Sequence, residues 1–287
     1  MSQHTIWTQW DDLNVPSKFK RLSPSTTPIE NADLSEITFY VPIYMGGRPA
    51  LELTKKMPNL KILQMPNAGY DDAMEYVRDG MTLCNGKSIH DDSTAELAVG
   101  LTIASLRGFP DFIRNQDKSD WVHVKNKSIN DRKIGIIGFG SIGTTIAKML
   151  SGFAVEIIPF TQSGRDNTIA ITDLDKHLPT LDVVILILPL TKESKHLFDA
   201  KRLSLMKDGA LLVNVARGPI VETDALVKEL NSGRITAALD VTDPEPLPKD
   251  HPLWRAKGVL ISPHVGGNTT AFESRARRLI ESQLNLL

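Results

Sequence analysis

The stretch Lys133-Ile-Gly-Ile-Ile-Gly138-Phe-Gly140-Ser-Ile-Gly143-Thr-Thr-Ile-Ala-Lys-Met-Leu150 constrains this chain more than any other. An apolar strand runs into three glycines at G-x-G-x-x-G spacing, and a helical pattern begins near Ser141. Gly138 gives the backbone freedom that a tight strand-to-helix turn requires. Gly140 lets the main chain approach a pyrophosphate, and Gly143 lets the helix lie against the strand. The free N–H groups at the helix start then form a seat for phosphate. The pattern predicts a dinucleotide site.

Further apolar strand candidates follow at Val155–Phe160, Val183–Leu188, Leu211–Val215, Ala237–Val241 and Val259–Ile261. Their near-continuous hydrophobic runs suit parallel strands covered by helices on both faces. With Ile134–Ile137 they make six, enough for a doubly wound nucleotide domain. Shorter candidates at Thr5–Thr8, Ile37–Val41, Lys61–Met65 and Met81–Cys84 come earlier. They alternate with polar or helical segments such as Arg48–Met57 and Asp71–Asp79, which predicts a second, smaller parallel sheet. Between the two series, Ser93 to about Arg114 reads as one long connecting helix, with Ser93 or Thr94 as N-cap. Residues 115–131 read as a loop, and Ala271–Leu287 as a final helix.

In such folds a carboxylate about 20 residues after the glycines holds the ribose 2′-hydroxyl of NAD. Here the second strand ends Ile157-Ile-Pro-Phe160-Thr161-Gln162-Ser163-Gly164-Arg165, and Thr161 stands at the usual acidic position. Between Gly143 and Arg165 the only carboxylate is Glu156, near the strand start and roughly 16 Å from its end. Ser163 and Arg165 offer a hydroxyl and a guanidinium suited to a 2′-phosphate. A carboxylate 4 Å from that phosphate would cost about 4 kcal/mol at an effective dielectric near 20. Its absence points to NADP as the preferred cofactor, with NAD possible.

The net charge of −1 gives no bulk attraction for nucleic acid or an anionic membrane. The longest apolar run, Val183–Leu188, is far too short to span a bilayer. The N-terminal residues lack the basic and apolar regions of a secretory signal. The single cysteine, Cys84, leaves no partner for an internal disulfide and reads as a buried strand residue. No His/Asp/Glu cluster has metal-ligand spacing, so no metal is expected. A reducing cytoplasm fits these features.

Four longer motifs follow in series: Leu181-Asp-Val-Val-Ile-Leu-Ile-Leu-Pro189-Leu-Thr191, Asn214-Val-Ala216-Arg217-Gly218, Leu239-Asp240-Val-Thr-Asp-Pro-Glu245-Pro246-Leu and Ser262-Pro-His264-Val-Gly266-Gly267. In this order they resemble the D-isomer-specific 2-hydroxyacid dehydrogenases, over nearly the whole chain. The resemblance implies a Rossmann-type doubly wound parallel sheet domain, residues 95–267. That domain is inserted into a smaller flavodoxin-like α/β substrate domain, residues 1–94 plus 268–287, with the active site in the cleft between them. It also implies homodimers joined largely through the nucleotide domains. Ala68 and Gly69 in Asn67-Ala-Gly-Tyr-Asp71 match the family's substrate loop, whose backbone N–H groups bind carboxylate. Thr94 and Asp240 match contacts on the nicotinamide side, and Ser141 and Ile142 would offer N–H groups to the pyrophosphate. Pro189, Ala216 and Gly266, within the shared motifs, complete the expected cofactor contacts. The stretch Arg234–Asp240 is one residue shorter than usual in the family.

Reducing a 2-keto acid needs a cation for the carboxylate, an acid for the new alkoxide and a hydride donor. Arg217 follows a strand at the carboxyl edge where ligands collect, and its guanidinium can fork onto carboxylate and keto oxygen. His264 is the natural acid and base near neutral pH. Glu245 would hydrogen-bond His264, orient it and favour its protonated form. His90, His123 and His251 lack such context and read as structural. The leading expectation is an NADPH-dependent reductase that turns small 2-keto acids of the glyoxylate or hydroxypyruvate type into D-2-hydroxy acids. One alternative is a 3-phosphoglycerate dehydrogenase, which would want a basic cluster beside the substrate loop, where Arg48 is the obvious candidate. The other is a nucleotide-sensing corepressor-like scaffold without turnover, which would carry long disordered tails.

Overall fold

Five short strands form the first sheet in the computed structural model, which describes residues 4–287. They are β1 (His4–Trp7), β2 (Phe19–Leu22), β3 (Phe39–Tyr40), β4 (Ile62–Gln64) and β5 (Thr82–Cys84). All pair in parallel in the order β2-β1-β3-β4-β5, the flavodoxin-like arrangement. Successive residues point to opposite faces of a strand. Ile6 and Phe39 therefore join one core with Phe272, Ala276, Ile280 and Leu284, which recur every fourth residue along the final helix Phe272–Leu286. Trp7 and Tyr40 join the other core with Leu51, Met57 and Leu63.

One local expectation for this region, the burial of Cys84, needs correction, and β2 is a strand that the apolar runs do not predict. β2 has no apolar run, because its central Lys20 and Arg21 face solvent and only Phe19 and Leu22 are buried. Arg48–Met57 becomes α1 (Gly47–Glu52) followed by a 3₁₀ turn, and Asp71–Asp79 holds only the 3₁₀ turn Met74–Tyr76. Cys84 ends β5 as expected of a strand residue, but it is half-buried.

The chain divides into two compact units, Met1–His90 with Thr270–Leu287 and Asp91–Thr269. The larger unit begins with α2 (Asp91–Leu106), α3 (Phe109–Asp117), β6 (Lys133–Ile137) and α4 (Ser141–Leu150). It continues with β7 (Glu156–Thr161), β8 (Ile169–Ala170), β9 (Val183–Leu186), β10 (Leu211–Asn214), β11 (Thr236–Leu239) and β12 (Val259–Ile261). The parallel strands lie in the order β12-β11-β10-β9-β6-β7-β8. Counted from β6, this is the doubly wound order with one further strand at its far edge. The sheet has seven strands, one more than the apolar runs predict. The addition is β8, two residues that pair with Phe160 and Thr161.

Val184, Leu186 and Leu212 face a core shared with Phe160, Phe198 and Leu226. Val183, Ile185, Leu211 and Val213 face the other, shared with Ala95 and Ala98 of α2 and Ile146 and Leu150 of α4. Each fully buried large aliphatic or aromatic side chain contributes roughly 1.5–3 kcal/mol. The predicted single helix over 93–114 is two helices, broken at Gly108. There φ is +72°, and a β-carbon would stand 2.8 Å from Asn126 Oδ1. Small residues on α2 let it approach α4, and this places Asp91 beside the start of α4. Among the described residues, no helix is long and apolar enough to cross a membrane.

Candidate active site

The three glycines of the β6–α4 turn divide their work. A β-carbon at Gly138, where φ is +103°, would lie 2.3 Å from Ile187 O, and one at Gly143 would lie 2.3 Å from Gly138 O. These two glycines let backbone meet backbone. A β-carbon at Gly140 would meet nothing within 4 Å, so the space over the middle glycine is open. The first turn of α4 has no side-chain cap and no acidic residue, which leaves its N–H groups and positive dipole end facing that space. A cradle of this form fits a pyrophosphate. Ser141, exposed at the helix start, donates its hydroxyl to Asp91 Oδ1 at 3.3 Å.

The turn after β7 is held by hydroxyls. Thr161 Oγ1 lies 2.6 Å from Thr168 Oγ1 and accepts from Gly164 N at 3.1 Å. Thr168 in turn bonds the carbonyl of Arg165. The threonine at the acidic position therefore shapes the turn, while Arg165 projects with its side chain 71% exposed. Asp166, one residue beyond the segment weighed in the sequence, places a carboxylate oxygen 3.9 Å from Arg165 Nε. Glu156 pairs with Lys133 at the opposite end of the strand.

Arg217, Glu245 and His264 come from loops beyond β10, β11 and β12, three adjacent strands about 4.8 Å apart. Asn214 ends β10, and its amide braces the first loop: Nδ2 donates to Arg217 O at 3.0 Å and Oδ1 accepts from Ala216 N at 3.1 Å. Gly218 lets this loop touch the next, since a β-carbon there would fall 1.9 Å from Thr242 O. His264 Nδ1 lies 2.5 Å from Glu245 Oε1. That hydrogen bond lifts the imidazole above its ordinary pKa, while burial and the charge of Arg217 pull it down by less. With Nδ1 held by Glu245, Nε2 is the nitrogen left to meet a substrate.

Asp240, just past β11 and buried, organises the histidine loop. Its Oδ1 accepts from Ser262 Oγ at 2.6 Å and Val265 N at 2.9 Å, its Oδ2 from Gly266 N at 2.9 Å, and its carbonyl from His264 N at 2.8 Å. Thr94, buried near the start of α2, belongs to the same neighbourhood. A β-carbon on Gly266 would stand 3.1 Å from Asp240 Oδ2 and 3.5 Å from Thr94 Oγ1. Ala216 is buried, and Pro189 is exposed just beyond β9, with its carbonyl accepting from Ser194 Oγ.

In the smaller unit, the loop of Ala68 and Gly69 is shaped by two asparagines. Asn85 Nδ2 donates to Ala68 O at 2.8 Å, and Asn67 Nδ2 to Gly69 O at 2.7 Å. Both carbonyls are thereby engaged. His90 stacks on Phe272, and His251 Nδ1 accepts from Leu253 N. Among the described residues, no group of three or more His, Cys, Asp and Glu could hold a metal.

Sequence reasoning missed Asp91, Asp166, Thr168, Ser262, Asn85 and Asn214 as parts of these sites. Ser262 and Asn214 stood inside motifs already singled out, and each carries a short polar side chain two residues before an expected site residue, His264 and Ala216. Asp91 and Thr168 carry no comparable signal, because their partners are brought to them only by the fold.

A family model described as D-isomer specific 2-hydroxyacid dehydrogenase, NAD binding domain, matches residues 99–266. The chain is 35% identical over 248 residues to a glyoxylate reductase of Thermofilum pendens, covering 81% of this chain and 73% of that protein. It is 33% identical over 250 residues to a glyoxylate reductase of Thermococcus litoralis, covering 81% and 75%. A D-isomer specific 2-hydroxyacid dehydrogenase family protein of Aeromonas salmonicida has a similar crystal structure. Its TM-score is 0.83 at 26% identity, over 99% of this chain and 96% of that one. The doubly wound sheet and its glycine cradle define a nicotinamide-dependent oxidoreductase. Within that class, the chain belongs to the D-isomer specific 2-hydroxyacid dehydrogenases.

Proposed function

We propose that this enzyme reduces small 2-keto acids of the glyoxylate or hydroxypyruvate type to D-2-hydroxy acids, with NADPH preferred over NADH and His264 as proton donor. The observation that carries the reading is the 2.5 Å contact between His264 and Glu245, set beside Arg217 on adjacent strand ends. When bound, the nicotinamide supplies hydride to the keto carbon. Arg217 holds the substrate carboxylate and keto oxygen. His264 gives the proton on Nε2 to the oxygen as it becomes an alkoxide, and Glu245 keeps that proton available near neutral pH. The glyoxylate reductases among the similar proteins support the substrate class.

The cofactor contacts proposed for this chain are Thr94, Gly138, Gly140, Ser141, Ile142, Gly143, Pro189, Ala216, Asp240 and Gly266, with Ser163 and Arg165 toward the 2′-phosphate. The NADPH preference rests on Thr161 in place of a carboxylate and on the exposed Arg165 guanidinium. Asp166 tempers it. A 3-phosphoglycerate substrate draws less support, since Arg48 lies 3.6 Å from Glu52 and so already has a counter-charge. We also propose a homodimer. On α3, Phe109, Phe112 and Ile113 are exposed, as are Trp121, Val122 and Val124 beyond it, and a second copy would cover this apolar surface. Steady-state assays with NADPH and NADH against a panel of 2-keto acids test the function. Turnover of none of them, or a higher kcat/KM with NADH, would overturn the corresponding part.

A further inference from the structure

We infer that Asp91 is a resident competitor of the cofactor's pyrophosphate, an acid that limits how tightly the enzyme holds its nucleotide. The inference rests on the reading of Gly138–Gly143 as the pyrophosphate cradle. A serine hydroxyl has one proton to give. At the start of α4 that proton goes to Asp91 Oδ1, 3.3 Å from Ser141 Oγ. The first turn of α4 contains no acid of its own and no side-chain cap. Asp91 therefore brings negative charge to a helix end that attracts anions. Its position is fixed by packing, since Ala95 and Ala98 of α2 share a core with Ile146 and Leu150 of α4. The open space over Gly140 begins one residue away from Ser141.

A pyrophosphate entering that space must draw the Ser141 proton away from Asp91 and stand near a carboxylate. Both effects oppose binding, and neither depends on the 2′ position of the ribose. Asp91 thus acts on NADPH and NADH alike, whereas Arg165 distinguishes them. An acid that served only the dipole of its own helix α2 would alter stability and leave nucleotide affinity unmoved.

The test compares wild-type protein with Asp91→Asn, which keeps a hydrogen-bond acceptor for Ser141 and removes the charge. Binding of NADPH, NADH, ADP and adenosine is measured by calorimetry or fluorescence at low and high salt, with dissociation rates by stopped flow. Asp91→Asn should bind NADPH, NADH and ADP about five- to thirtyfold more tightly, by a common factor. Most of the gain should appear as slower dissociation. It should shrink at high salt, and adenosine, which lacks phosphate, should bind as before. Equal or weaker affinity for all three phosphorylated ligands in folded Asp91→Asn would overturn the inference alone, as would an equal gain for adenosine. Wild-type protein that binds none of the nucleotides would overturn the cradle reading as well. Should Asp91→Asn fail to fold, Asp91→Ser reads the same ratios.

Discussion

His264 holds a left-handed backbone conformation, with φ at +54°, which side chains other than glycine seldom adopt without support. Its support is the Asp240 carboxylate, which gathers Ser262, Val265 and Gly266 around the turn. The backbone is thereby set before the ring meets Glu245, and ring and carboxylate can be tested separately. His264→Ala and, independently, Arg217→Ala should each lower kcat for keto-acid reduction by about 10²-fold or more, with nucleotide Kd near wild type. Wild-type turnover in either variant would remove that residue from the chemistry. Glu245 raises the pKa of His264, so the protonated ring persists to higher pH. In the proposed reaction reduction consumes that proton, so it should decline as pH rises through the raised value. In Glu245→Gln the decline should move to lower pH, and oxidation of the hydroxy acid, which needs the neutral ring, should begin at lower pH. A profile of kcat against pH that does not move would separate Glu245 from the histidine.

Strands and helices differ in how openly the sequence announces them. The buried strands β6, β9, β10 and β11 are apolar on both faces and were legible as runs. β2 and β8 were not, because one shows solvent two charged residues and the other is only two residues long. The division of the long helix at Gly108 depends on Asn126, which closes on the glycine from eighteen residues farther along. The glycine cradle could be read from its spacing, although only Gly138 and Gly143 answer a steric demand while Gly140 leaves open space. The turn after β7 could be read only in part: Thr161 and Arg165 stood out, while the hydroxyl pair that shapes the turn required Thr168 to fold back. Arg165→Ala should weaken NADPH about 10- to 100-fold and leave NADH almost unaffected, because hydrogen bonds to a charged group contribute roughly 1.5–3 kcal/mol. Thr161→Asp should shift the preference toward NADH by repelling the 2′-phosphate. Steady-state kinetics with both cofactors check these outcomes, and equal weakening of both by Arg165→Ala would refute the assignment of this turn.

At the scale of the molecule, Arg217, Glu245 and His264 fall within one contiguous stretch, from the loop after β10 to the loop after β12. That stretch belongs entirely to the larger unit. A nucleotide that binds only the folded state should therefore raise the melting temperature as its concentration rises. The gain is about 2.7 kcal/mol at one hundred times Kd, or several degrees for a chain of this size. Calorimetric scans across a nucleotide titration check this, and a melting temperature indifferent to nucleotide would contradict it. The proposed dimer makes a separate demand: Ile113→Asp or Trp121→Asp should shift sedimentation toward the monomer without unfolding the protein.

The grip of Asp240 on its neighbours has a consequence for isotope labelling. Val265 and Gly266 lie beyond the last strand, where main-chain amides would ordinarily take up deuterium with the ease of a surface loop. Both amides are instead bonded to a buried carboxylate anchored at the end of β11. They should resist deuteration for about as long as the sheet itself, with no nucleotide present. Uptake at these two positions would then register the opening of the histidine loop directly, in protein that is not turning over.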